Sequence, residues 1–280
     1  MSLAERARGV IERWRHPGPA VAVLRLEGVI GGRGRRGISL RRYAGAVERA
    51  FRHGRAGVAL VLNSPGGSAA QSALLYRRIR QLAEERSVPV FAFTEDVAAS
   101  GGYWLALAAD EIYAEETSLL GSVGVISAGF GMQELMRRWG IERRLHTAGE
   151  NKSLLDPFLP EAPRDVERLT ALQRDLHDSF KTLVRTRRGA RLRGEEGTLF
   201  SGEVFTGRSA LAAGLIDGIG DLRGVLRQRF GRHVRLRAIE PERRRFALPF
   251  RRRRVPDVAE IAVELGEWLE ERAVWARFGL

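Results

Sequence analysis

Residues 20–26 (AVAVLRL), 57–63 (GVALVLN) and 88–94 (VPVFAFT) are short runs of β-branched and apolar side chains, each ended by turn residues, as strands are. Between the second and third runs, Leu74, Leu75, Ile79 and Leu82 recur at the spacing of one helical face across 69–86. Two strands joined by a helix this long pair in parallel, so the chain is confined to the α/β class. Further on, 100–109 (SGGYWLALAA) predicts a buried helix directly after the third strand. A short strand near Ile112, a glycine-rich turn at 121–124, a helix over 132–139 and a strand near 143–147 are expected to follow. A long helix over 162–188 shows an inner face of Val166, Leu169, Leu172, Leu176, Phe180 and Leu183. A small helix over 209–215 is stopped by Gly214, and 216–221 reads as a turn. The main body, 20–230, is preceded by a polar segment (1–19) and followed by an arginine-rich linker (231–257) and an amphipathic helix (258–280).

Composition removes several kinds of chemistry. With no cysteine among 280 residues, disulfides, thiol nucleophiles and cysteine metal sites are out of reach. His16, His53, His146, His177 and His233 are scattered without metal-ligand spacing, so no metal or other cofactor is expected. Residues 1–16 lack the apolar run of a secretory signal or spanning helix, which predicts a cytoplasmic protein. The formal net charge of +13 is concentrated in part at Arg243, Arg244, Arg245, Arg251, Arg252, Arg253 and Arg254. Such a run serves as a solvated linker or rests on anionic phospholipid, which would place the protein peripherally on the inner membrane face. No nucleic-acid-binding motif accompanies it, and no nucleic acid partner is expected.

Of 47 basic residues only two are lysines, Lys152 and Lys181. Arginine cannot release its proton in a protein, whereas a lysine taken out of water can become the neutral amine of a general base. Codon usage that favours arginine would leave the same two survivors. The neighbouring motifs bear on the choice. The second strand runs into Asn63-Ser64-Pro65-Gly66-Gly67-Ser68 ahead of a helix, a turn whose free N–H groups suit an oxyanion and which also reads as an ordinary tight turn. The third leads into Ala98-Ala99-Ser100-Gly101-Gly102-Tyr103, where Ser100 is placed as a nucleophile at a strand-to-helix junction, with the next N–H as oxyanion donor. As an N-cap, Ser100 would be purely structural. Ser122, in Gly121-Ser122-Val123-Gly124, offers a hydroxyl to orient an amine, or bonds only its own turn.

Four segments, NSPGGS at 63–68, ASGGYW at 99–104, SLLGSVGV at 118–125 and GENKS at 149–153, resemble in order and spacing the signal peptide peptidase A family, the serine-lysine peptidases of the S49 group. The likeness covers about 21–222. It implies a ClpP/crotonase-like spiral of β-β-α units. It further implies Ser100 as nucleophile, Lys152 as general base, Ser122 orienting the amine, Gly66 and Gly101 N–H groups as oxyanion hole, and Gly67 and Ser68 along the substrate. Ser100 and Lys152 are expected to meet across a subunit boundary in a homo-oligomeric ring that cleaves unfolded apolar peptides such as signal peptide remnants. Typical members carry an N-terminal transmembrane helix, for which residues 1–16 offer no apolar run. A crotonase-type acyl-CoA enzyme and a noncatalytic membrane-surface scaffold of the same fold are the alternatives.

Overall fold

A computed structural model of the chain describes residues 18–32, 37–241, 266, 269 and 272–280. In chain order the elements are β1 (Ala20–Glu27), α1 (Leu40–His53), β2 (Gly57–Ser64), α2 (Ala69–Arg86), β3 (Val90–Ala99), α3 (Gly101–Ala106), β4 (Glu111–Ala114), β5 (Leu119–Gly121), α4 (Gln133–Arg138), α5 (Pro163–Arg188), α6 (Glu196–Leu199), β6 (Val204–Thr206), α7 (Gly207–Ala212), β7 (Gly218–Ile219), α8 (Leu222–Phe230) and β8 (Arg235–Ile239). The strands form one sheet in the order β6-β5-β3-β2-β1-β8, with β4 beside β3 and β7 beside β4. Every pairing is parallel except β5 with β6.

The sheet divides the core. On one face Leu24, Leu60, Leu62 and Ala92 pack with Val47, Leu75, Ile79, Tyr103 and Phe180 from α1, α2, α3 and α5. On the other, Val21, Ala59, Phe91, Phe93 and Leu226 form a smaller cluster beneath α8. Strand β2 is buried along nearly its whole length, which is why it reads as a continuous apolar run rather than an alternation. Ser68 caps α2 by accepting the Gln71 N–H, and Asp221 caps α8 through the N–H groups of Arg223 and Gly224.

Strand β3 pairs with β4 through Phe91–Thr94 and with β5 through Val97–Ala99. Its two neighbours therefore part halfway along it, and Ser100 follows at the tip of the second half. On its other side β5 pairs antiparallel with β6, from much later in the chain, whose Val204 lies opposite Gly121.

Several expectations change. The strand expected near 143–147 is absent: residues 141–147 are exposed and unpaired, so their apolar side chains have no sheet to join. The body does not end near 230, because Arg235–Ile239 pairs with β1 and extends the sheet. The turn expected over 216–221 contains β7. Helix α1 and strands β5, β6 and β8 add to the expected elements, each being short or charged on its exposed side. The arginine run at 243–254 lies outside the described residues, as does most of the expected C-terminal helix, of which 272–276 are helical.

Candidate active site

Ser100 joins β3 to α3 with φ +51° and ψ −120°, a conformation that a side-chain-bearing residue adopts only when its surroundings impose it. Its N–H donates to Gly121 O at 2.8 Å, and its carbonyl accepts the Trp104 N–H at 3.0 Å. Tyr103, fully buried, donates its hydroxyl to Leu215 O at 2.7 Å and so pins α3 from behind. Burial pushes the Tyr103 phenol well above its ordinary value, so it remains a donor.

The β2–α2 turn closes on this junction. A Cβ on Gly66 would fall 2.8 Å from Ser100 Cβ and 2.9 Å from Ala99 O, and one on Gly67 would fall 2.1 Å from Ile30 O. Both glycines also have positive φ, +106° and +138°. Only hydrogen fits at either place, because backbone approaches backbone there. Ile30 fixes the turn, its N–H donating to Gly66 O and its carbonyl accepting the Ser68 N–H, both at 2.8 Å.

These contacts sort the candidate oxyanion donors. The Gly66 N–H is directed to Ser64 Oγ at 3.3 Å. Gly67 and Gly101, whose N–H groups have no acceptor among the described residues, face each other beside Ser100. Gly67, Ser100, Gly101 and Ser122 line one cavity of about 550 Å³, walled by Trp104, Ile126, Leu176 and Phe180. Ser68 instead caps α2. Ser122, at φ +51°, is held by its N–H to Glu203 O at 2.7 Å. Trp104 and Phe180 pack ring on ring, with centroids 4.8 Å apart.

Lys152 is not among the residues lining that cavity. It lies exposed in a turn over 149–155, its N–H 3.3 Å from Gly149 O. The whole stretch 126–162 is thinly covered: Phe130 is 86% exposed, Trp139 76% and Ile141 58%. Within one chain the structure thus gathers Ser100, Gly67, Gly101 and Ser122 and leaves Lys152 apart. Among the described residues no cluster of carboxylates and histidines could hold a metal ion.

Sequence reasoning missed His177. From α5 its Nε2 lies 3.0 Å from Val123 O, on the wall of the same cavity, bracing the turn that carries Ser122. No motif marks it, because its partner is a backbone carbonyl 54 residues away. Val274, Arg277 and Phe278, near the far end of the chain, also line the cavity.

A mostly parallel α/β sheet with a left-handed serine at a strand tip, closed by a glycine turn from the neighbouring strand, is a ClpP-like fold. The sequence profile of peptidase family S49 matches residues 83–230, and the chain belongs to that family. It is 47% identical over 98% of its length to a Brucella abortus protein named Na(+)/H(+) antiporter NhaA. It is 36% identical over 58% of its length to the chloroplastic serine protease SPPA of Arabidopsis thaliana. The chain spans 39% of the Brucella protein and 24% of the Arabidopsis one. A solved structure of 1510-N membrane-bound stomatin-specific protease, a mutant in complex with a substrate peptide, shares the fold with a TM-score of 0.50 at 18% identity. That match covers 81% of this chain and 94% of the other.

Proposed function

We propose that the chain is a serine-lysine endopeptidase for extended apolar peptides. The observation that carries this reading is the left-handed Ser100 beside the unengaged N–H groups of Gly67 and Gly101. In the proposed reaction the neutral Lys152 amine takes the Ser100 Oγ proton as the oxygen attacks a peptide carbonyl. Gly67 and Gly101 N–H groups receive the developing oxyanion, a stabilisation worth roughly 3–4 kcal/mol per donor. The Lys152 ammonium gives its proton to the departing amine, and the neutral amine so restored takes one from the water that attacks the acyl carbonyl and passes it to the departing Ser100 Oγ. Ser122, on the same cavity, steers the amine. The apolar wall of Trp104, Ile126, Leu176 and Phe180 selects apolar side chains.

Lys152 has to come from a second copy, and the exposed apolar residues of 126–162 are the surface that such a copy would cover. Covering them takes the amine out of water, the condition for its neutral form. Homo-oligomerisation is therefore part of this reading. The names of the Brucella antiporter and the membrane-bound protease support work at a membrane surface, with the arginines at 243–254 toward anionic lipid. No helix among the described residues is long and apolar enough to cross a bilayer.

Ser100→Ala and Lys152→Arg proteins, assayed on an unstructured apolar peptide, should each lose at least about 10⁴-fold in kcat. A mixture of Ser100→Ala with Lys152→Ala subunits should regain part of it. Full activity in Lys152→Arg would overturn the assignment of the base, and no recovery despite demonstrated subunit exchange would overturn the shared site.

A further inference from the structure

At the edge of the sheet three strands away from Ser100, and at the opposite end of the strands, lies a second hollow of about 500 Å³. Arg52, His53 and Arg55 reach it from the end of α1 and the turn beyond, and Arg235 and Arg237 from β8. No carboxylate lines it. Among the described residues none of these four arginines forms an ion pair, although Arg78, Arg80, Arg185, Arg187, Arg188 and Arg191 all do.

The hollow is partly pre-arranged. Arg237 Nη1 lies 3.1 Å from His53 Nδ1, and Arg235 Nε donates to Gly18 O at 3.1 Å, which leaves its terminal nitrogens directed elsewhere. Arg49 donates to Glu240 O at 2.8 Å and ties the end of β8 to α1. Arg237 has only donors, so His53 Nδ1 is the acceptor, and His53 is held below its ordinary value by loss of water and then by the positive charges of Arg237, Arg52 and Arg49.

Two ordinary explanations each cover half of this. Basic residues suit the C-terminal end of a helix, and charged side chains on an edge strand discourage sheet extension. Neither explains why the helix cations and the strand cations line one hollow with no carboxylate among them.

We propose that this hollow binds a phosphate group, held by the guanidiniums of Arg52, Arg55, Arg235 and Arg237. Guanidinium groups match phosphate oxygens two at a time, and the volume exceeds one phosphate, leaving room for the remainder of a headgroup. Chain order adds to this: β8 leads within a few residues into the arginines at 243–254. The source is either the headgroup phosphate of an anionic lipid or free phosphate, and the site goes beyond the peptidase reading without depending on it.

The full chain is titrated with inorganic phosphate by calorimetry against chloride at matched ionic strength. It is also co-sedimented with vesicles of phosphatidylcholine alone and of phosphatidylcholine with phosphatidylglycerol. Arg235→Gln/Arg237→Gln is compared with Arg223→Gln/Arg227→Gln, which removes the same charge from exposed positions on α8. The hollow variant should bind phosphate or the anionic vesicles roughly tenfold or more weakly, the α8 variant close to wild type, with peptide hydrolysis unchanged in both. Loss on phosphate marks a soluble ligand; loss on vesicles alone marks a headgroup. Equal weakening by both variants, or wild-type protein that binds neither probe, would overturn the proposal.

Discussion

The β3–α3 junction and the exposed stretch at 126–162 hold Ser100 and Lys152, the two residues proposed for one reaction, and they are built by opposite means. At the junction the backbone is over-determined: Ser100 is fixed by Gly121 O, by the close pass of Gly66 and by α3, which buried Tyr103 anchors. Around Lys152 the side chains that would ordinarily make a core, Phe130, Trp139 and Ile141, face solvent. Strain is stored where one chain supplies every neighbour, and apolar surface is left uncovered where it does not. A lone chain thus gathers Ser100, Gly67 and Gly101 on one cavity and leaves Lys152 outside it.

The largest effect on activity that would sharpen this contrast is at Gly66. Gly66→Ala puts a methyl 2.8 Å from Ser100 Cβ at a φ of +106°, and should cost about 2–4 kcal/mol of stability along with nearly all activity. A denaturant midpoint close to wild type would show that the junction is looser than its contacts suggest. Next comes a paired truncation of two large aromatics. Phe180→Ala removes a buried ring packed on Trp104 and should destabilise by roughly 3–5 kcal/mol, while Trp139→Ala should change stability by less than about 0.5 kcal/mol. Sedimentation should instead show weaker self-association for Trp139→Ala alone. Equal destabilisation by both would mean that the stretch packs on its own chain.

The smallest effect concerns acid. Burial alone would raise the Asp217 carboxyl, but the Arg188 guanidinium, the Ile112 N–H and Arg191 together hold it below its ordinary value. Arg188 is itself buried, its nitrogens 2.8 and 3.0 Å from the two carboxylate oxygens. A carboxyl lowered on folding contributes stability that is whole above its unfolded pKa and fades as pH falls through the folded one. Thermal melts of the wild type should therefore decline on the acid side more steeply than those of Asp217→Asn, which starts less stable at neutral pH. Parallel acid profiles would remove this pair from the account of how α5 is held beside β4.

Much of the Ser100 half of the candidate site was legible because it is local. Glycine pairs at strand ends, a serine at a strand-to-helix step and an amphipathic α2 are properties of adjacent residues, and 63–68 and 99–104 carry them on their face. Which glycine offers its N–H was not legible, since it depends on Ser64 Oγ taking one and Ile30 orienting the turn. The strand expected at 143–147 does not form because Leu145 is its one apolar residue, among Arg143, Arg144, His146 and Thr147, too little to hold the stretch against the sheet. His177, the cationic hollow and the short strands β5, β6 and β8 escaped notice because each joins residues distant in sequence.

Sequence alone determined the α/β class, the serine step with its glycine turns, and the scarcity of lysine that marked Lys152, because these rest on residue type and short spacing. Tertiary structure decided that Gly67 rather than Gly66 faces the cavity, that Lys152 stands outside it, and that arginines from α1 and β8 share one hollow. Those facts depend on backbone meeting backbone across the sheet, and such meetings are set by packing of the whole chain rather than by any stretch of it.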